Sequence, residues 1–168
     1  AIIPGVNIPE QLEVNVEGSY SKDQPKTPED EQALRECRRN YYANLTPEYK
    51  AAEEAYRHAI EIDNSFAEAH LNLGRLLHAN GMVDEALDEY RAARTIDGED
   101  AVTHYNIGVA CQDLGNSEDA VAAYERAIEL APRFADARYN LSTLYEELGE
   151  TALAVQHLHE YRNLTEGA

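Results

Sequence analysis

The chain has 168 residues, 43% of them hydrophobic, enough for one domain with a real core. Acidic residues outnumber basic ones 32 to 14, for a net charge of −18. Such a surface repels phosphate, which disfavours duplex DNA or RNA as a direct ligand and an anionic membrane for the same reason; basic or neutral protein segments are the easier partners.

Residues 1–27 stand apart from the rest. They are rich in Pro, Gly and polar residues (Pro4, Gly5, Pro9, Gly18, Pro25), and within them Leu12, Val14 and Val16 alternate with Glu13, Asn15 and Glu17. The alternation is a short strand signal without a partner strand elsewhere in the chain. It predicts an extended or disordered N-terminal arm or linker, an arm lying in a groove of this or a neighbouring copy, or the remnant of an upstream domain. The sequence opens on Ala1 rather than Met, which leaves room for such a domain.

At Thr27 the pattern changes to helix. Thr27 suits an N-cap, Pro28 the first helical position, and Glu29 and Asp30 the first turn, where the helix dipole favours acid. From here apolar residues follow a three-and-four spacing rather than strand alternation. Helices are expected near 28–45, 47–62, 67–80, 83–96, 101–114, 117–130, 135–148 and 151–164.

These helices repeat. Ala67-Glu68-Ala69-His70-Leu71-Asn72-Leu73-Gly74 returns 34 residues later as Ala101-Val102-Thr103-His104-Tyr105-Asn106-Ile107-Gly108, and again as Ala135-Asp136-Ala137-Arg138-Tyr139-Asn140-Leu141-Ser142. Gly81, Gly115 and Gly149 keep the same interval, as do Ala52, Ala86, Ala120 and Ala154. Tyr56, Tyr90 and Tyr124 recur with Leu158 in the last copy; Ala59, Ala93 and Ala127 recur with Tyr161. Gly74, Gly108, Ala86 and Ala120 are small enough for close helix approach, while Leu77, Tyr90, Tyr124 and Tyr145 fill the space beside them. The glycines at 81, 115 and 149 fall where a first helix must stop in a left-handed backbone conformation. Pro132 blocks continuation of the helix before it.

This pattern resembles the tetratricopeptide repeat family over roughly residues 28 to 164. The copies at 67–100 and 101–134 match almost throughout. The copy at 135–168 departs at Ser142, Leu158 and Tyr161, and the copy at 28–66 is degraded in its first half, where Asn40 takes the small-residue place. The resemblance implies an all-α fold: about four helix hairpins stacked in a right-handed superhelical solenoid, one domain over 28–168, with a concave face lined by the first helix of each pair. A weaker resemblance, carried by Asn72 to His78, Asn140, Tyr145 and His159 to Thr165, is to the C-terminal repeat module of bacterial MerR-type regulators, which would make this a regulatory domain of a larger protein.

The concave register gives Glu68, Leu71, Asn72, Arg75, His78 and Ala79, then Val102, Tyr105, Asn106, Val109, Gln112 and Asp113, then Asp136, Tyr139, Asn140, Thr143, Glu146 and Glu147. Asn72, Asn106 and Asn140 share one repeat position, interrupted by Arg38 in the first copy. A side-chain amide both donates and accepts, so such a series can pair with the main chain of an extended peptide; some tetratricopeptide proteins bind peptides through an asparagine ladder. Tyr105 and Tyr139 flank the series with apolar contact and a polar tip. Glu146 makes one end acidic and favours a basic ligand. The expected peptide site is therefore Asn72, Arg75, Tyr105, Asn106, Gln112, Tyr139, Asn140 and Glu146. The carboxylate-clamp mode of the family does not fit, because Asp136 stands where that clamp needs Lys.

Other chemistry is absent from the sequence. It has no Gly-rich phosphate loop, nucleophile elbow or metal-helix spacing, and neither an enzyme nor a cofactor or metal is expected. His70 and His104 fall at core-facing positions, and His157 and His159 point to different faces of one helix. Cys111 reads as an apolar filler. Cys37 and Cys111 lie in separate repeats and outline no disulfide framework, so a reducing, cytoplasmic setting is expected. No apolar run is long enough to span a bilayer. Leu153, Val155 and Leu158 cannot all face one partner helix, so the last helix is a candidate surface for self-association.

Overall fold

The computed structural model describes residues 47–166. Seven helices run through them: α1 (Pro47–Ile62), α2 (Ala67–Ala79), α3 (Val83–Ile96), α4 (Ala101–Asp113), α5 (Ser117–Leu130), α6 (Ala135–Glu147) and α7 (Thr151–Glu166). The first helices of the hairpins stop one residue short of the expected ends, and α7 runs two residues further, to Glu166. The arm at 1–27, the helix expected at 28–45, Cys37 and Arg38 lie outside the described residues. At the start of α4 the Asp100 carboxylate accepts from the backbone N–H of Val102 and Thr103 at 3.2 and 2.8 Å, capping that helix.

Glycine makes the turn inside each hairpin. Gly81, Gly115 and Gly149 have φ of 75°, 76° and 80°. After α4 the Gly115 N–H donates to the Gln112 carbonyl at 2.9 Å and Asn116 N–H to the Cys111 carbonyl at 2.8 Å, the paired bonds that close a helix end around a left-handed residue. A Cβ on Gly149 would meet nothing within 4 Å, so the requirement there is conformational, not spatial. Gly149→Ala should therefore cost about 1 kcal/mol from backbone strain alone, read as a lower urea midpoint with an unchanged slope.

The hairpins α2–α3 and α4–α5 close on a recurring pair. The Tyr90 ring lies against Gly74 so closely that a Cβ there would sit 2.5 Å from it, and the Tyr124 ring lies 2.6 Å from a Cβ placed on Gly108. Both rings are fully buried, 1% and 0% exposed. The small residue thus admits an aromatic face, which is more specific than the general helix approach expected from the sequence. In the third hairpin, α6–α7, both members change together: Ser142 replaces the glycine and Leu158 the tyrosine. Ser142 is buried, its hydroxyl donating to the Tyr139 carbonyl at 2.7 Å.

Neighbouring hairpins then stack. α1 packs on α2, α3 on α4 and α5 on α6, while α2, α4 and α6 touch one another in series. One continuous core runs through the stack, from Tyr49 past Leu73, Leu77, Tyr90, Ile107 and Tyr124 to Leu141, Leu144 and Ala154. Cys111 belongs to it, its thiol pushed up in pKa by burial. At the far end, residues equivalent to half-buried ones are open: Leu148 is 48% and Val155 61% exposed, whereas Leu114 and Val121 pack against the core.

Candidate functional site

The surface formed by α2, α4 and α6 carries all eight residues expected to bind a peptide. On α2, Asn72 is half-buried and Arg75 is exposed, its charge close enough to oppose the burial that raises the Tyr90 hydroxyl. On α4, Tyr105, Asn106 and Gln112 are half-buried. On α6, Asn140 is half-buried, while Tyr139 and Glu146 are exposed.

These residues are not equivalent in their engagement. Asn140 Nδ2 donates to the Tyr105 hydroxyl at 3.2 Å and to the Tyr124 hydroxyl at 3.5 Å. Tyr124 in turn donates to Gln112 Oε1 at 2.9 Å. Three helices therefore meet in one hydrogen-bonded chain, with Tyr124 reaching in from α5. Asn106 turns back on its own helix instead, donating to the Val102 carbonyl at 2.9 Å. Tyr139 packs on Tyr161 of α7, ring centroids 5.3 Å apart. So the structure gathers Tyr105, Gln112 and Asn140, and leaves the other five on the same face outside that cluster.

Two participants escape sequence reading. Tyr124 has the pattern of a core residue, and its ring is one; its hydroxyl needed a partner, which was the available signal. Phe134, in the turn before α6, packs on Tyr105 with centroids 4.9 Å apart. A further tie crosses the face: His78 Nε2 donates to Asp113 Oδ2 at 2.8 Å, joining α2 to α4.

Electrostatics follow from burial and acid. Burial raises the Tyr105 hydroxyl, the Asp136 carboxylate raises it further, and the bond from Asn140 works against both. Burial pushes Tyr124 well above the ordinary tyrosine range. Both hydroxyls stay protonated at physiological pH. Around them Glu68, Asp113, Asp136, Glu146 and Glu147 are exposed, with Arg75 and His78 the basic side chains of the same register.

Elsewhere the polar groups are structural. His70 pairs with Glu89 at 2.7 Å, His104 bonds the Gly98 carbonyl at 3.0 Å, and Arg138 holds the Pro132 carbonyl and Glu160. His157 stacks on Tyr145, and burial lowers its pKa. A cleft of about 380 Å³ lined by Tyr49, Lys50, Glu53, Arg57, Leu77, Met82 and Glu85 opens at the α1 end, away from the cluster. Among the described residues there is no group of three or more His, Cys, Asp or Glu that could hold a metal, and no helix long and apolar enough to cross a membrane.

Family models for the tetratricopeptide repeat match residues 65–133 and 105–167, and a third matches 48–81. Among solved structures, one of MamA is 26% identical, covering 71% of this chain and 70% of that one, with a TM-score of 0.68. A second MamA structure is 22% identical over 81% and 75% of the two chains, again with a TM-score of 0.68. YrrB, described as a tetratricopeptide protein with an unusual peptide-binding site, is 24% identical over 71% of this chain and 62% of that one, with a TM-score of 0.65. No curated protein sequence matches this chain.

Proposed function

The chain belongs to the tetratricopeptide repeat family, and we propose that it is a protein-interaction scaffold whose α2–α4–α6 face holds an extended segment of a partner protein. The observation that carries this is the Tyr105–Asn140–Tyr124–Gln112 chain. It brings amide groups from two successive hairpins to one place on a water-facing surface, where a folded core needs none. Exposed Asp136, Glu146 and Glu147 beside it favour a segment carrying Lys or Arg. Asn72, Arg75, Asn106 and Tyr139 extend the contact surface on either side. The work is binding, not catalysis, and calls for no cofactor.

The test is capture from a native lysate by the wild type and by Asn140→Ala with Gln112→Ala. The double variant should keep its helical circular dichroism and lose the captured protein by at least tenfold. Equal capture by both would remove the site from this face.

Self-association is a second reading, favoured by the open end at Leu148 and Val155. Light scattering over a concentration series should then show a dimer that Val155→Glu abolishes. A strict monomer at high concentration contradicts it.

A further inference from the structure

The hydrogen-bonded chain on the α4–α6 face has a fixed polarity. Asn140 uses its amide N–H₂ on two tyrosine hydroxyls, so its Oδ1, an acceptor, is left for a ligand. Tyr124, having accepted from Asn140, donates to Gln112 Oε1, so the Gln112 Nε2 donors are left. The Tyr105 hydroxyl accepts from Asn140 and keeps its own hydrogen to give. Among the described residues nothing engages Asn140 Oδ1 or Gln112 Nε2, and neither is among the polar atoms shut away from water. The acceptor thus comes from α6 and both donors from α4.

An extended residue presents its N–H and C=O on one edge as a closely spaced pair, with the N–H nearer the chain's N-terminus. Such a pair fits this cluster in one sense only. Its N–H must meet Asn140 and its C=O must meet Gln112 or Tyr105. We propose that the bound segment runs N-to-C from α6 toward α4, antiparallel to the order of the repeats, with its direction set by the Tyr124-centred relay. The inference rests on the scaffold reading above and adds the direction of the ligand and the residue that imposes it. The segment is basic: exposed Asp136 lies beside Tyr105, and Glu146 and Glu147 lie further along α6, so lysines beside the pairing edge meet acid.

The relay makes Tyr124 a positioning residue. Tyr124→Phe keeps the buried ring against Gly108 and removes one of the two acceptors of Asn140 and the donor to Gln112. Asn140 stays held by Tyr105, but its second N–H is released and the Gln112 amide is free to turn; Asn140 can then donate to a ligand and Gln112 accept, so either direction becomes available.

The experiment uses the full chain and a peptide of about ten alternating Lys and Ala residues, some 33 Å when extended, acetylated and amidated so that neither end carries charge. A nitroxide is placed at the first residue in one version and at the last in another. With wild type, the N-terminal label should broaden backbone amides of α6 around Thr143 and Glu146, and the C-terminal label those of α2 around Asn72 and Arg75. With Tyr124→Phe, both labels should broaden both helices within a factor of two, and affinity should fall several-fold. Binding to this face with the labels reversed, or a direction unchanged in Tyr124→Phe, overturns the inference and leaves the scaffold reading intact. Broadening confined to α3, α5 and α7, or no binding, overturns both.

Discussion

Tyr124→Ala should lower the unfolding free energy by about 3–5 kcal/mol, as expected when a buried aromatic is truncated to Ala. The ring is 0% exposed and lies flat on Gly108, a contact no neighbour can replace because glycine has no side chain to move into the void. The hydroxyl adds less. Its partners Gln112 and Asn140 are half-buried and can turn to water, so Tyr124→Phe should cost only about 1 kcal/mol. Urea denaturation of the two variants separates the ring from the hydroxyl. Equal losses would mean that the relay, not the ring, holds the hairpin together.

The second large effect is at the residue beneath that ring. Gly108→Ser places a Cβ 2.6 Å from two atoms of Tyr124, a distance real side chains do not reach. Leaving glycine in a helix interior gains a few tenths of a kcal/mol, but forcing an aromatic out of a filled core costs more, for a net loss of about 2 kcal/mol. The third hairpin indicates the compensation, since there Ser142 holds the repeat position of the glycine and Leu158 that of the tyrosine. Gly108→Ser combined with Tyr124→Leu should therefore be more stable than the sum of the single losses by about 1–2 kcal/mol. Strict additivity would mean that the glycine–tyrosine pair is not a unit.

The same pair explains what the sequence made legible. A residue that recurs every 34 positions meets the same neighbours each time, so helix bounds, the glycine stops and the buried tyrosines follow from one repeat and hold in the next. The departure at Ser142 and Leu158 could be read as two changes; the Gly74–Tyr90 and Gly108–Tyr124 contacts of the earlier hairpins join them into one. The site is harder because it lives on differences between repeats. Asn106 and Asn140 occupy one repeat position, and the sequence treats them alike. Asn140 faces Tyr105 of the preceding hairpin, whereas the residue one repeat before Tyr105 is Leu71, which has no hydroxyl to accept. Asn106 therefore bonds its own helix at Val102, and the ladder becomes a local relay. His78–Asp113 has the same origin: two residues at neighbouring repeat positions that pair only because one is His and the other Asp.

The claim that this face holds the partner is tested most directly by hydrogen–deuterium exchange on the full chain, with and without the captured partner. The face predicts new protection on α2, α4 and α6, greatest in the segments containing Tyr105 to Gln112 and Asn140 to Glu146. Protection confined to α3, α5 and α7, with those segments exchanging at their free rates, would contradict it.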